Sequence, residues 1–138
     1  MVCPQEDISV ICGGARALGV ATYLDGARLF NAAVASGRSL AELAGPCDVV
    51  SVSLSKGMGC PAGSVIAGAA EAMHRAVRAR RMLGGAMRQS GILAAAGLYA
   101  LDQGTAHLAR DHANARTIAE LAAQTDCWRI MKMSEEKP

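Results

Sequence analysis

A short β-branched run in the middle of the chain constrains the fold more than any other feature. Asp48–Leu54, DVVSVSL, has the length and the residue types of a strand, and its apolar character is typical of a buried parallel strand. The segment before it, Ser39–Ala44, carries a helix start signal, because Ser39 can cap the helix and Glu42 completes a capping box. Gly45–Pro46 then ends that helix. A helix that leads directly into a buried strand favours an α/β layer architecture.

The rest of the chain alternates between strand and helix patterns in its first half and is helical afterwards. Apolar residues recur at helical spacing from Ile8 to Leu18, and Gly19 follows as a stop signal. Strands are predicted over Val20–Leu24 and Ser64–Ala67, and further helices over Arg28–Ser36, Ala70–Leu83, Gln89–Leu101 and Thr105–Gln124. This alternation supports the α/β class.

Composition narrows the class of protein without indicating a function. The 138 residues suit one core domain, and 51% hydrophobic residues with a net charge of +2 indicate a globular chain. The arginine-rich stretch 75–81 lacks interleaved aromatic residues, so we expect no nucleic-acid partner. The start lacks a signal-peptide pattern, and the longest apolar run, Gly91–Leu101, is about half of the roughly 20 residues that a membrane-spanning helix needs. We therefore expect a soluble, cytoplasmic chain with no membrane partner.

The cysteines and histidines do not form a metal-binding pattern. The chain has five cysteines with no CxxC pair and no Cys/His spacing typical of zinc, and an odd number fits poorly with a disulfide framework. We therefore expect reduced thiols and no metal. His74, His107 and His112 fall within predicted helices without ligand spacing, so we interpret them as structural or surface residues.

Lys56 is the first candidate for chemistry, because it follows the predicted strand and precedes a glycine-rich loop in the stretch SVSLSKGMGCPAG. A lysine amine that is partly desolvated at a strand end can act as a nucleophile and form a Schiff base with a carbonyl cofactor. Gly57, Gly59 and Gly63 would let the backbone approach a ligand closely. The alternative is a lysine that extends into solvent from a loop, and for an arbitrary lysine this alternative is favoured.

Asp25 and Arg28 form the second candidate group. Asp25 lies at the carboxyl end of a predicted strand, where ligands bind in open α/β sheets, and a carboxylate there could pair with a protonated ring nitrogen of a cofactor. The alternative for Asp25 is an N-cap of the following helix, and the alternative for Arg28 is a surface arginine paired with Asp25. Gly84–Arg88, GGAMR, follows the arginine-rich helix and favours an anion site for a phosphate or a carboxylate.

Three blocks of the sequence, in this order, resemble the threonine aldolases: LDGARLFNAA at Leu24–Ala33, SVSLSKGMGCPAGS at Ser51–Ser64 and RRMLGGAMRQSGILAAAGLYAL at Arg80–Leu101. Threonine aldolases belong to the β-eliminating lyase group of pyridoxal-phosphate enzymes with the aspartate aminotransferase fold. The resemblance covers roughly Ala15 to Gln124. It implies an α/β fold that is a partial aspartate aminotransferase-like large domain, with a parallel-rich sheet, flanking helices and a helical C-terminal half.

The resemblance implies a cofactor, pyridoxal 5'-phosphate, and a role for each matching residue. Lys56 looks like the lysine that binds the cofactor as a Schiff base, and Asp25 is similar to the aspartate that keeps the pyridine nitrogen protonated. Arg28 resembles the arginine near the cofactor and the substrate carboxylate, and Ser55 resembles a contact to the phosphate. The further substrate-binding positions that the resemblance implies are Arg81 and Arg88.

The implied reaction is retro-aldol cleavage of a β-hydroxy-α-amino acid, in which threonine or allo-threonine yields glycine and acetaldehyde. The resemblance also implies a homo-oligomer, since full-length relatives are tetramers. We divide the chain into a partial cofactor-binding large domain, residues 1–125, and a non-matching tail, residues 126–138, that we expect to be disordered. Because family members extend further at both ends, we expect impaired activity of this short form. Two alternatives stay open: a non-catalytic fragment that associates with full-length subunits, and another pyridoxal-phosphate-dependent β-eliminating lyase.

Overall fold

The computed structural model describes residues 2–124, which form six helices and three strands. The chain divides into two compact units, residues 1–105 and residues 106–138. The first unit contains α1 (Gln5–Ala17), β1 (Tyr23–Asp25), α2 (Leu29–Ser36), α3 (Leu40–Ala44), β2 (Val49–Ser53), β3 (Ser64–Gly68), α4 (Ala70–Met82) and α5 (Gly91–Gln103). The described part of the second unit contains α6 (Ala106–Ala123). Every predicted helix and strand is present, although the first strand covers Tyr23–Asp25 rather than Val20–Leu24. The predicted tail, residues 126–138, lies outside the described residues.

The three strands form one sheet in the order β1–β2–β3. β1 runs parallel to β2, with Asp25 opposite Ser51, and β3 runs antiparallel to β2, with Ser64 opposite Ser53. The α/β class and the parallel pairing of β2 are confirmed. The sheet within residues 2–124 is mixed, because the connection 54–63 is too short for the crossover that a second parallel pairing of β2 would need.

The register of β1 against β2 is held by hydrogen bonds between Thr22 and Asp48, the residues that precede the two strands. The Thr22 amide and hydroxyl both donate to Asp48 Oδ2, at 2.7 and 2.8 Å. In return, the Asp48 amide donates to Thr22 Oγ1 at 3.1 Å, and the Val49 amide donates to the Thr22 carbonyl oxygen at 3.1 Å. The bonds from Thr22 to the carboxylate hold the pKa of Asp48 below its ordinary value of 3.8. This cluster aligns the two strands at their amino ends.

One face of the sheet is apolar, because successive side chains of a strand point to opposite faces. Leu24, Val50 and Val52 share this face. Helix α2 begins against it, since Val50 Cγ2 and Leu29 Cβ lie 3.2 and 3.3 Å from the position that a Cβ on Gly26 would take. All five residues of β2 are half-buried, so the expectation of a buried strand is met only in part, and to the same degree on both faces. The other face carries the polar residues Asp25, Ser51 and Ser53.

Helices α1 and α3 meet near the start of β2. Helix α3 begins with the predicted capping box, in which the Glu42 amide donates to Ser39 Oγ at 3.2 Å and the Ser39 amide donates to Glu42 Oε2 at 2.7 Å. The Gln5 side chain at the start of α1 donates to the Glu42 carbonyl oxygen at 2.9 Å. Cys12 of α1 and Leu43 of α3 are both buried. A local start signal therefore fixes where α3 begins, and a long-range contact holds it against α1.

Replacing Gly26 with alanine tests the close approach between the β1–α2 turn and β2. The new Cβ would lie 2.7 Å from the Ser51 carbonyl oxygen, so the turn or the strand must shift. We expect the free energy of unfolding to fall by about 1–3 kcal/mol, measured by urea denaturation. Gly13→Ala in α1 is the matched control, because no heavy atom of residues 2–124 lies within 4 Å of its added Cβ, and it should not destabilise the chain. Unchanged stability of Gly26→Ala would contradict the close approach.

The lowered pKa of Asp48 predicts an acid-sensitive contribution to stability. A carboxylate whose pKa is lower in the folded chain stabilises the fold above its ordinary pKa of 3.8, and this contribution is lost as the pH falls through the folded value. Asp48→Asn should therefore lower the melting temperature at neutral pH, and the difference from the unsubstituted chain should shrink below about pH 4. Thermal unfolding of both chains from neutral to acid pH measures this. A difference that stays constant over the whole range is the outcome that argues against it.

Candidate functional site

The carboxyl ends of β1 and β2 bring four of the predicted site residues to one edge of the sheet. Asp25 is the last residue of β1, and Lys56 follows the end of β2 by three residues. Because these strands are parallel, their carboxyl ends lie at the same edge, where ligands bind in open α/β sheets. Arg28 follows Asp25 in the turn before α2, and Ser55 precedes Lys56. We call this part of the sheet the carboxyl edge.

The polar face of the sheet adds hydroxyl groups beside Asp25. Asp25 and Ser51 are register partners, and Tyr23 and Ser53 share their face because each lies two residues away along its strand. Tyr23 Oη donates to Ser51 Oγ at 2.6 Å, and Ser53 Oγ lies 3.3 Å from Ser55 Oγ. The Tyr23 ring is 60% exposed. The carboxyl edge therefore presents a carboxylate and several hydroxyl groups on one open surface.

Tyr23 and Ser51 are absent from the set of site residues that the sequence predicts, although a signal for them exists. Residues two apart in a strand share a face, so Tyr23 accompanies Asp25 once the strand is extended to Asp25. The contact between Tyr23 and Ser51 has no such local signal, because the two residues are 28 positions apart and meet through the register of β1 and β2.

The Asp25 carboxylate keeps one oxygen free of protein partners within residues 2–124. Asp25 Oδ1 accepts a hydrogen bond from the Ala27 amide at 3.2 Å, which stabilises the turn. The N-cap of α2 is Arg28, with no side-chain capping bond, so the alternative of Asp25 as the N-cap is wrong. The alternative of an Arg28–Asp25 ion pair is also absent from this part of the chain. Asp25 Oδ2 is thus available to a ligand.

The loop that carries Lys56, residues 54–63, is closed by main-chain hydrogen bonds. The Leu54 amide donates to the Gly63 carbonyl oxygen, and the Cys60 amide donates to the Leu54 carbonyl oxygen, both at 3.0 Å. The Gly59 amide donates to the Lys56 carbonyl oxygen at 3.0 Å. The Lys56 side chain is exposed, and no ion pair engages its amine among the residues that the structure describes. A defined loop therefore presents an exposed amine, as in the alternative of a lysine that extends into solvent, and the Schiff-base role of Lys56 stays a prediction.

The glycines of this loop serve its backbone geometry. Gly59 and Gly63 have φ angles of +72° and +118°, a region that favours glycine. Among the described residues, no heavy atom lies within 4 Å of an added Cβ at Gly59, so the backbone angle rather than a close protein contact requires glycine there. That these glycines also admit a ligand stays a prediction.

Buried residues anchor the loop to α5. Leu54, Met58 and Cys60 are all less than a tenth exposed, at 8%, 5% and 7%. A Cβ on Gly97 of α5 would lie 3.1 Å from Leu54 Cδ1, and Cys60 Sγ donates to the Ala96 carbonyl oxygen at 3.7 Å. The small residues of α5 therefore allow close packing against the loop, so α5 helps to hold Lys56 in place.

The two remaining predicted site residues, Arg81 and Arg88, are not joined to the carboxyl edge by any hydrogen bond or ion pair in the described part of the chain. Arg81 lies in the last turn of α4, and Arg88 lies between α4 and α5. Both side chains are exposed. Their role in substrate binding stays a prediction.

The structure does not add a metal centre to this edge. Within residues 2–124, no group of three or more His, Cys, Asp or Glu side chains could hold a metal ion. His74 lies in α4, and His107 and His112 lie in α6. Of the helices that the structure describes, none is sufficiently long and apolar to cross a membrane.

The fold is similar to that of two solved structures of one class of protein. A Listeria monocytogenes EGD-E protein assigned as an L-allo-threonine aldolase matches with a TM-score of 0.80 and 26% identity, over 90% of this chain and 35% of that chain. An Exiguobacterium sp. 255-15 protein assigned as an aromatic amino acid beta-eliminating lyase/threonine aldolase matches with a TM-score of 0.67 and 30% identity, over 74% of this chain and 29% of that chain. The fold is thus that of a partial large domain of this class.

The family model described as beta-eliminating lyase matches residues 1–136, so the chain belongs to the beta-eliminating lyase family. A low specificity L-threonine aldolase of Escherichia coli O157:H7 is 49% identical over 119 residues, which cover 86% of this chain and 36% of that relative. Low-specificity L-threonine aldolase 1 of Arabidopsis thaliana is 47% identical over 74% of this chain and 28% of that relative. The chain spans about a third of the length of these curated relatives. The resemblance to threonine aldolases is confirmed.

Proposed function

We propose that this chain forms the part of a pyridoxal 5'-phosphate-dependent threonine aldolase that carries the cofactor lysine and the cofactor aspartate. The observation that carries the proposal is the placement of Lys56 and Asp25 at one carboxyl edge, where neither side chain has an ion-pair partner within residues 2–124. An amine and a carboxylate without ion-pair partners in this part of the chain suit a ligand with two matching groups. The amine can react with an aldehyde, and the carboxylate can pair with a protonated ring nitrogen.

The residues at the carboxyl edge fit the chemistry of pyridoxal phosphate. Lys56 would hold the cofactor covalently, because its exposed amine can react with an aldehyde. Asp25 would keep a proton on the pyridine nitrogen through Oδ2, the oxygen that the Ala27 amide leaves free. Ser55 and Arg28 would bind the phosphate and neighbouring anionic groups, as a hydroxyl and a guanidinium can.

When bound, pyridoxal phosphate supplies an electron sink for the carbanion that forms as the Cα–Cβ bond of an amino acid breaks. Asp25 supports this sink because its negative charge favours the protonated ring. Arg28, Arg81 and Arg88 would bind the substrate carboxylate, since guanidinium groups form paired hydrogen bonds with carboxylates.

The substrate that we infer is a β-hydroxy-α-amino acid, threonine or allo-threonine, which is cleaved to glycine and acetaldehyde. The names of the relatives support this class, because they are threonine aldolases in Escherichia coli and Arabidopsis and an assigned allo-threonine aldolase in Listeria. We expect weak cleavage or none by the 138-residue chain alone, since it aligns with about a third of those proteins.

Association with further aldolase subunits is a second candidate function, and exposed apolar residues favour it. Ile92, Leu98 and Tyr99 of α5 are 80%, 64% and 67% exposed. Leu83 and Met87, which precede α5, are 86% and 63% exposed. Several large apolar residues exposed along one helix and the segment before it are consistent with a protein–protein interface. We infer that α5 and the segment before it bind another subunit in a homo-oligomer.

Borohydride trapping tests the cofactor role of Lys56 without measuring catalysis. Mixing the chain with pyridoxal phosphate and reducing it with borohydride should attach the cofactor irreversibly to Lys56, which peptide mass spectrometry detects. Lys56→Arg should abolish the modification, because a guanidinium does not form this bond. Lys132→Arg is the matched control and should keep the modification. Asp25→Asn should raise the cofactor concentration needed for half-maximal modification. Trapping on Lys132 or Lys137 in preference to Lys56 would show that the proposed cofactor site is wrong.

Sedimentation of the chain over a range of concentrations tests the association surface. Ile92→Glu in α5 should weaken self-association by about tenfold or more, because a charged side chain would have to be desolvated in the interface. Val10→Glu is the control, since Val10 is 75% exposed but lies in α1. Equal weakening by both variants would indicate non-specific association instead. A chain that stays monomeric and does not co-purify with a full-length relative would rule out this second function.

A further inference from the structure

Cys12 of α1 and Cys47, which lies between α3 and β2, bring their sulfur atoms to 3.5 Å although the residues are 35 positions apart. Cys12 is 5% exposed and Cys47 is half-buried. A disulfide bond is about 2.0 Å long, so the two sulfur atoms need to approach by about 1.5 Å. Rotation of the two side chains about their Cα–Cβ bonds can move the sulfur atoms by a distance of this size.

Independent contacts fix the segments that carry this cysteine pair. Arg16 Nη2, one helical turn after Cys12, donates to the Pro46 carbonyl oxygen at 3.2 Å. Asp48, the residue after Cys47, accepts two hydrogen bonds from Thr22. All of these residues belong to the first unit. The closeness of the sulfur atoms therefore follows from the packing of α1 and the alignment of β1 with β2.

The other cysteines of the described chain have different surroundings. Cys3 is exposed. Cys60 is buried, and its Sγ lies 3.7 Å from the Ala96 carbonyl oxygen and 4.0 Å from that of Met58. Within residues 2–124, the two cysteines whose sulfur atoms are in contact are therefore Cys12 and Cys47.

We propose that Cys12 and Cys47 form a site of covalent modification, at which a low-molecular-weight disulfide such as oxidised glutathione converts the two thiols into an intramolecular disulfide. The modification joins α1 to the start of β2. It does not involve Lys56 or Asp25, so it is independent of the proposed function.

The reaction proceeds by two thiol–disulfide exchanges. The Cys47 thiolate attacks one sulfur of oxidised glutathione, the glutathione S–S bond breaks, and one glutathione leaves as a thiolate. The Cys12 thiolate then attacks the Cys47 sulfur of this mixed disulfide and releases the second glutathione. Two protein thiols are oxidised and one glutathione disulfide is reduced to two thiols, and the two protons pass to the leaving thiolates through solvent. Cys47 reacts first because it is the more accessible residue of the pair.

The local environment makes this modification slow and durable. Burial raises the pKa of Cys47 to about 11, and the neighbouring Cys12 and Asp48 contribute in the same direction. Because the thiolate is the reactive form, only a small fraction of Cys47 can react near neutral pH. Once formed, the bond lies in a partly buried position where an external thiol has limited access.

The cross-link should stabilise the folded chain. It closes a loop between residues 35 positions apart, which restricts the unfolded chain. We expect the melting temperature of the oxidised chain to exceed that of the reduced chain by roughly 10 °C.

The experiment is to incubate the folded chain with oxidised glutathione, block the remaining thiols and map the peptides without reduction. We expect a peptide pair linked through Cys12 and Cys47, the higher melting temperature, and reversal of both by dithiothreitol. Cys47→Ser should remove the linked pair. Cys12→Ser should stop the reaction at a glutathione adduct on Cys47. Cys3→Ser is the matched control and should change neither the link nor the melting temperature.

The proposal is overturned by a stable glutathione adduct on Cys47 of the unsubstituted chain, by a link that involves Cys3, Cys60 or Cys127 in preference to the pair, or by an unchanged melting temperature after the link has formed. Because peptide mapping uses the unsubstituted chain, the result stands even if a serine variant does not fold. Cys12→Ala then replaces Cys12→Ser, since alanine places no hydroxyl at a buried position.

Discussion

The hydrogen-bond cluster between Thr22 and Asp48 is the constraint on which the placement of the site depends. Parallel strands have no tight turn between them to set their register, so other contacts must align them. Asp48 Oδ2 does this by accepting from both the amide and the hydroxyl of Thr22. In this alignment Asp25 falls opposite Ser51. A shift by one residue would turn Asp25 towards the apolar face, where its carboxylate could not meet a ligand.

The same alignment places apolar residues on one face of the sheet and candidate site residues on the other. The face with Leu24 and Val50 packs against the start of α2 and contributes to stability. The face with Asp25 and Ser51 carries residues of the candidate site. The loop after β2 combines packing with exposure. Leu54 is buried against Gly97 of α5, while Lys56, two residues later, is exposed. The exposed amine of the candidate lysine is therefore carried by a packed loop.

Local patterns predicted the secondary structure well because the start and the end of an element depend on near neighbours. The capping box of Ser39 and Glu42 is an example, since both of its hydrogen bonds join residues three positions apart. The degree of burial was harder to predict, because all five residues of β2 are half-buried rather than buried. The position of Arg81 relative to the carboxyl edge could not be predicted either. The sequence block that contains Arg81 is recognisable, but this position depends on how distant segments pack.

The sequence by itself determined the family, the order of helices and strands, and the candidate residues Lys56 and Asp25, because motif blocks and local patterns are written in residue order. Only the tertiary structure decided that Tyr23 contacts Ser51, that Asp25 retains an oxygen for a ligand, and that Cys12 faces Cys47. The contacts of Tyr23 and Cys12 join residues 28 and 35 positions apart. Such contacts arise from strand register and helix packing, which many weak interactions set together and no local pattern encodes.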